Sequence, residues 1–163
     1  VQENHVDVIR TLVALGADVN CTVCGGATPA HIAAYSGCND SIRALGELGA
    51  DLCAIDSNGS TPAFMAAQNG HEASIRALAE LGADLNMADS DGDTPAFMAA
   101  QEGHETSLRV LAEVGADLNI ANNNGTTPAY VASQEGHETS LRVLAELGAD
   151  LNTSMNDGPL LHV

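Results

Sequence analysis

Lysine and tryptophan are absent from the 163 residues, and the aromatic side chains number four: Tyr35, Phe64, Phe97 and Tyr130. Five arginines stand against 22 carboxylates, a formal net charge of −17. A chain so poor in cations cannot neutralise a phosphate backbone, which argues against nucleic acid as a partner. The shortage of aromatics, with alanine filling much of the apolar fraction, points to short helices packed closely through small side chains. No apolar run approaches the ~18 residues of a membrane span, and no charged, apolar, small-residue leader precedes the first pattern, so a soluble, intracellular protein without membrane contact is expected. Catalytic signatures are missing too: there is no Gly-x-Ser-x-Gly, no phosphate loop and no dinucleotide fingerprint. The expectation is a non-enzyme without a cofactor.

What is present is periodic. Thr28-Pro29, Thr61-Pro62, Thr94-Pro95 and Thr127-Pro128 recur every 33 residues, the mark of a stacked repeat protein. Glycines keep the same step at 16, 49, 82, 115 and 148 and again at 37, 70, 103 and 136. The arginines also share one phase, at Arg10, Arg43, Arg76, Arg109 and Arg142. Glu72, Arg76 and Glu80 are four apart, a spacing that predicts weak ion pairs along one solvated helix face.

Residues 56–88 show the physics of one unit. Asp56-Ser57-Asn58-Gly59 is turn chemistry. Thr61 can accept from the free amides of a first helix, and Pro62 takes its first position, where a missing N–H costs nothing. That helix is predicted to run to Gln68 or Asn69, with Gly70 as its left-handed stop. A second helix over 72–81 places Ile75, Leu78 and Ala79 on one stripe and ends at Gly82, and Ala83-Asp84-Leu85-Asn86 leads out. Neither helix reaches the ~12–15 residues that an isolated helix needs, so stacking must supply the stability.

The run Asp56-x-x-Gly59-x-Thr61-Pro62, Ala66-Ala67-x-x-Gly70-His71 and Gly82-Ala83-Asp84-Leu85-Asn86 resembles the ankyrin repeat over its whole length, and returns in register in the next two units. The resemblance implies an all-α solenoid of helix-turn-helix units joined by β-hairpin-like turns. It divides one 1–163 domain into a half repeat at 1–22, full repeats at 23–55, 56–88, 89–121 and 122–154, and a partial repeat at 155–163. The usual Thr-Pro-Leu-His reads here with Ala30, Ala63, Ala96 or Ala129 in place of leucine. Its histidine survives as His31 and becomes Phe64, Phe97 and Tyr130, a compensated packing. Cys38 stands in the phase of His71, His104 and His137. Asp157-Gly158-Pro159-Leu160-Leu161-His162 resembles a shortened repeat opening. No polar capping repeat is visible at either end, which suggests a fragment of a longer array or end-to-end self-association.

Three patterns imitate metal sites. His71-Glu72, His104-Glu105 and His137-Glu138 open like a zincin motif, but Ile75, Leu108 and Leu141 stand where the second histidine belongs; the resemblance implies that these histidines bridge backbone groups of neighbouring units. Asp89, Asp91 and Asp93 open like a calcium loop that fails at Gly92 and Ala100. Cys21-x-x-Cys24 resembles half a zinc site; Cys38 and Cys53 lack that spacing and Cys38 should open a second helix away from the turn, while Cys53, in phase with Asn20, could approach the first pair from the adjacent turn. Free thiols are the expected state, with a metal and a disulfide as the alternatives, and no metal is assigned.

By the same resemblance, function lies on a concave face of turn tips and first helices that binds a protein partner. Matched by position, that face comprises Tyr35, Ser57, Asn58, Ser60, Gln68, Asn69, Ser90, Asp91, Asp93, Gln101, Glu102, Asn123, Asn124, Thr126, Gln134 and Glu135, extended by Cys24, Ala27 and Ser36. The strip is polar and acidic, so a basic partner is expected. Near-identity of residues 103–119 and 136–152 supports a second reading, a structural spacer in a long array. A third is a substrate of an asparaginyl hydroxylase, from the resemblance of Asn20, Asn86, Asn119 and Asn152, each eight residues after a leucine, to the pattern such enzymes take; Cys53 breaks that series.

Overall fold

The computed structural model describes residues 3–151. The shortened opening at Asp157–His162 and Asn152 lie outside the described residues. Nine helices follow one another among the described residues: α1 (Glu3–Ala14), α2 (Pro29–Tyr35), α3 (Asn39–Glu47), α4 (Pro62–Gln68), α5 (Glu72–Glu80), α6 (Pro95–Gln101), α7 (Glu105–Glu113), α8 (Pro128–Gln134) and α9 (Glu138–Glu146). They form two rows. The Thr-Pro helices stack as α2, α4, α6 and α8, the longer helices as α1, α3, α5, α7 and α9, and each Thr-Pro helix pairs with the one that follows it. No strand joins them among the described residues; each turn is closed by isolated bonds such as Asp56 N–H to the Ser60 carbonyl at 3.0 Å.

The Thr-Pro pair starts each first-row helix as expected. Thr61, Thr94 and Thr127 accept with Oγ1 from the amides of Phe64, Phe97 and Tyr130 at 3.2, 3.2 and 3.3 Å. Thr28 is different, because His31 occupies the position of those aromatics: the Thr28 amide donates to His31 Nδ1 at 3.1 Å. An accepting Nδ1 places the ring proton on Nε2, which donates to the Ser60 carbonyl at 2.9 Å. The surviving histidine thus ties the first full unit to the next. At the other end of α4, Gly70 has φ of +69°, and a Cβ there would lie 2.9 Å from His104 Nδ1. Both the backbone turn and the next unit's ring require glycine.

The core lies between the rows and is built of small residues on one side and branched ones on the other. Ala63, Ala66, Ala67, Ala96, Ala99 and Ala100 are buried in the first row, against Ile42, Ile75, Leu78, Leu108, Leu111 and Leu144 in the second. Phe64 and Phe97 are buried next to the alanines that replace leucine, as compensated packing requires, whereas Tyr130 in the same phase is only half-buried. In α5 the buried stripe is Ser74, Ile75, Ala77 and Leu78, whereas Ala79 is only half-buried. The Ser74, Ser107 and Ser140 hydroxyls, one repeat apart in the second row, are buried without a hydrogen-bond partner.

The arginines depart from the expected pairing within a helix. Arg10 bonds Glu47 at 2.5 Å, Arg43 bonds Glu80 at 2.6 Å, Arg76 bonds Glu113, and Arg109 bonds Glu146 at 2.7 Å. Each pair spans 37 residues and joins one second-row helix to the next. Arg142, in the last described helix, turns back to Glu138 at 2.6 Å, the within-helix bond that the sequence spacing predicts.

Candidate functional site: the turn and first-helix face

The turn tips are held in fixed geometry by their own side chains. Asp56 accepts with Oδ1 from the amides of Asn58 and Ser60 at 2.8 and 2.9 Å. Asp89 does the same for Asp91 and Asp93, both at 2.9 Å, and Asn122 for Asn124 and Thr126, both at 3.0 Å. Backbone bonds then chain the tips together, from Ser57 N–H to the Gly25 carbonyl, Ser90 to Asn58 and Asn123 to Asp91, at 2.8, 2.9 and 3.0 Å. The carboxylates that open like a calcium loop thus serve partly as turn caps. Asp89 closes its own turn, while the Asp93 carboxylate accepts from Asn122 Nδ2 at 2.8 Å. Among the described residues no group of three or more His, Cys, Asp or Glu stands together as a cation cage.

A groove of about 500 Å³ runs between these tips and helices α4 and α6. It brings together Ser57, Asn58, Ser60, Gln68, Ser90, Asp91, Asp93 and Gln101 from the expected strip. Tyr35, Asn69, Glu102, Asn123, Asn124, Thr126, Gln134 and Glu135 lie outside it. The exposure of the strip is uneven. Ser57, Asn58, Ser90, Asp91, Asn123, Asn124, Glu102, Gln134, Glu135 and Tyr35 are exposed, while Gln68, Asn69, Asp93 and Gln101 are half-buried.

Ser60 and Thr126 depart from an exposed strip, being 3% and 6% exposed. Their position is the last before the Thr-Pro cap, where the backbone folds under the helix start, and Ser60 gives its carbonyl to His31. Asn69 turns its Nδ2 onto the Met65 carbonyl at 2.9 Å. The groove also holds Phe64, Met65, Asp89 and Met98, which the sequence reading did not place there. A signal was available for the methionines: Met65 and Met98 stand three residues before Gln68 and Gln101, a spacing that puts each pair on one helix face. Burial raises the Asp93 carboxyl above its usual range, the Asn122 hydrogen bond works against this, and the Asp89 and Asp91 charges add to it.

The in-phase histidines bridge neighbouring units. Nε2 of His71, His104 and His137 donates to the carbonyls of Tyr35, Gln68 and Gln101 at 3.0, 3.0 and 2.8 Å. The in-phase asparagines make a second ladder: Oδ1 of Asn20, Asn86 and Asn119 accepts from the amides of Asp51, Asp117 and Asp150 at 2.8, 2.8 and 2.7 Å. Cys53 fills the gap in that series, since its sulfur accepts from the Asp84 amide at 3.3 Å. Asp18, Asp51, Asp84 and Asp117 carry the local turn bonds, so the asparagines act between units. All four cysteines are free, Cys21 and Cys24 exposed, Cys38 and Cys53 half-buried.

Among the described residues no helix is long and apolar enough to cross a membrane. No curated protein matches the chain. A family model described as ankyrin repeats (3 copies) matches residues 1–89 and 81–155. With paired helices stacked in two rows and a 33-residue period, the chain belongs to the ankyrin repeat family, whose repeats are generally protein–protein interaction modules and typically not enzymes.

Proposed function

We propose that the chain is a protein-binding module whose turn and first-helix face, the concave face of the array, takes a basic partner. The observation that carries this is the division of charge. All five arginines lie on second-row helices, each bonded to a glutamate of that row. The turn and first-helix strip holds Asp89, Asp91, Asp93, Glu102 and Glu135 and no basic side chain. A one-signed groove between ordered walls concentrates the field, so a cationic segment is steered into it and oriented by the amides of Gln68 and Gln101. Three substitutions there, Gln68→Arg, Gln101→Arg and Gln134→Arg, should abolish capture of basic proteins from the native lysate. The same charge change on the exposed second-row positions, Ala73→Arg, Thr106→Arg and Thr139→Arg, should leave capture intact. Equal behaviour of the two variants overturns the reading.

A second reading, a spacer in a longer array, draws on the three continuous ladders of histidine, asparagine and arginine, which tie unit to unit whatever the face binds. It predicts that the first variant captures the same proteins as the unaltered chain.

A further inference from the structure

The turn charge of the face is gathered at one step of the array. Where residues 89–121 carry Asp91 and Asp93, the unit before has Asn58 and Ser60, the unit after has Asn124 and Thr126, and the first full unit has Gly25 and Ala27. Both carboxylates line the groove between α4 and α6, an interior position with further helices stacked on each side. No cation of the chain meets them, because the ion pairs among the described residues all lie on the second row. Asp91 is exposed, and Asp93 bonds the Asn122 amide with one oxygen. The groove wall holds further open groups. Ser60 is 3% exposed; its amide donates to Asp56 and its carbonyl accepts from His31, but its hydroxyl has no partner among the described residues. Unlike the enclosed hydroxyls of Ser74, Ser107 and Ser140, it stands in the wall of a cavity, where an entering group can bond it. The side-chain amides of Gln68 and Gln101 are open as well, although their backbone carbonyls are taken by His104 and His137. Phe64, Met65 and Met98 supply the apolar part of the same wall.

We infer that this groove seats a single arginine side chain of the protein partner, its aliphatic stem on Met65 and Met98 and its guanidinium among Asp91, Asp93 and the Ser60 hydroxyl. This rests on the reading of the face as an acidic protein-binding surface, and narrows the basic partner to one residue at one place. The charge complement requires a cation. The apolar wall requires that the cation be carried on a stem that can be buried while its head stays among polar groups. The number of open acceptors chooses between the two basic side chains. A guanidinium presents five donors in a flat fork, which two carboxylates, a hydroxyl and the amide oxygens of Gln68 and Gln101 can meet; an ammonium has three donors and holds its water more strongly. The neighbouring steps of the array lack the paired carboxylates, so other basic residues of the partner gain only attraction that salt screens.

The test is selection of a displayed library of random 16-residue peptides on the full chain, followed by titration of the enriched peptides with their arginines intact or replaced by lysine. The expected result is enrichment of peptides that share one arginine and no further basic residue. Lysine in its place should weaken binding about tenfold or more. Asp91→Asn with Asp93→Asn should weaken the arginine peptides to the same degree and remove their advantage over the lysine forms. The double variant keeps the turn, since asparagine stands in the phase of Asp91 at Asn58 and Asn124, and Asp93→Asn keeps an oxygen for Asn122. Glu72→Gln with Glu105→Gln removes the same charge from exposed second-row positions and should leave the affinity unchanged. Enrichment of basic runs in which arginine and lysine exchange freely overturns the arginine seat and leaves the acidic-face reading standing. A shared arginine indifferent to the Asp91 and Asp93 changes, or equal weakening by the two double variants, overturns the seat as well. Enrichment without basic residues, or no enrichment, overturns both.

Discussion

Asp93 shows how a single carboxyl can serve the turn and weaken the fold at the same time. It is half-buried, accepts from Asn122 Nδ2 at 2.8 Å, and shares its turn with Asp89 and Asp91. Burial first, and then the two neighbouring charges, raise its proton affinity in the folded chain, with the Asn122 bond opposing them. The folded state therefore binds more protons than the unfolded state between the usual carboxylate value, about 3.9, and the raised one. Stability conferred at this site is greatest when Asp93 is protonated, and falls as pH rises through that window. Asp93→Asn keeps an oxygen for Asn122 and removes the charge. The variant should melt at a higher temperature than the unaltered chain at pH 7, and the gap should close on acidification below the usual carboxylate range. Thermal melts of both chains across that range check this; a gap of the opposite sign, or one indifferent to pH, refutes it. Asp93 also marks a limit of reading by residue type. Three aspartates at alternate positions look alike in the sequence, yet Asp89 caps its turn, Asp91 is exposed and Asp93 meets the next unit. Cys53 makes the converse point, since it interrupts the asparagine series in sequence but not the ladder in space.

For helices, the ion pairs of the second row decide how neighbouring elements are tied. Arg76 has Glu72 and Glu80 within its own helix but bonds Glu113 of α7, with the two side chains about half exposed. Exposed pairs of this kind contribute about 0.2–1 kcal/mol. A double-mutant cycle on Arg76→Ala and Glu113→Ala should give a coupling in that range, against about zero for Arg76→Ala with Glu72→Ala. The coupling should shrink at about 1 M salt, where the screening length falls to about 3 Å. A larger coupling to Glu72 would return the pair to the within-helix geometry. The sequence could not have chosen between them, because spacings of four and of 37 both recur with the 33-residue period. By contrast, the bounds of the helices were legible to within a residue. Thr61-Pro62 and Gly70 delimit α4 by local backbone chemistry alone, and α5 ends at Glu80, one residue before the predicted limit. What local chemistry does not contain is burial at the turn. Ser60 and Thr126 read as turn-tip residues, but the fold tucks them under the helix start.

At the scale of the molecule, the substantial packing among the described residues joins only helices adjacent in the stack, so stability is a chain of nearest-neighbour terms. Leu78 in α5 and Leu144 in α9 test this, for both are completely buried and share one repeat phase. In a globule with one shared core, Leu→Ala at either site would cost the same about 2–5 kcal/mol and lower protection everywhere. In a linear array the position decides the outcome. Leu144→Ala weakens a unit with a described neighbour on one side only, so α8 and α9 should open without the rest. Leu78→Ala weakens the unit through which every helix on one side couples to those on the other, and leaves shorter stacks, of which about three units are needed for stability. Amide hydrogen exchange separates the cases. For Leu144→Ala, protection should fall over 122–151 and persist in α4 and α5; for Leu78→Ala, it should fall from α2 through α9. Loss of protection in α4 and α5 with Leu144→Ala alone would show that the array responds as one cooperative body, and the nearest-neighbour description would fail.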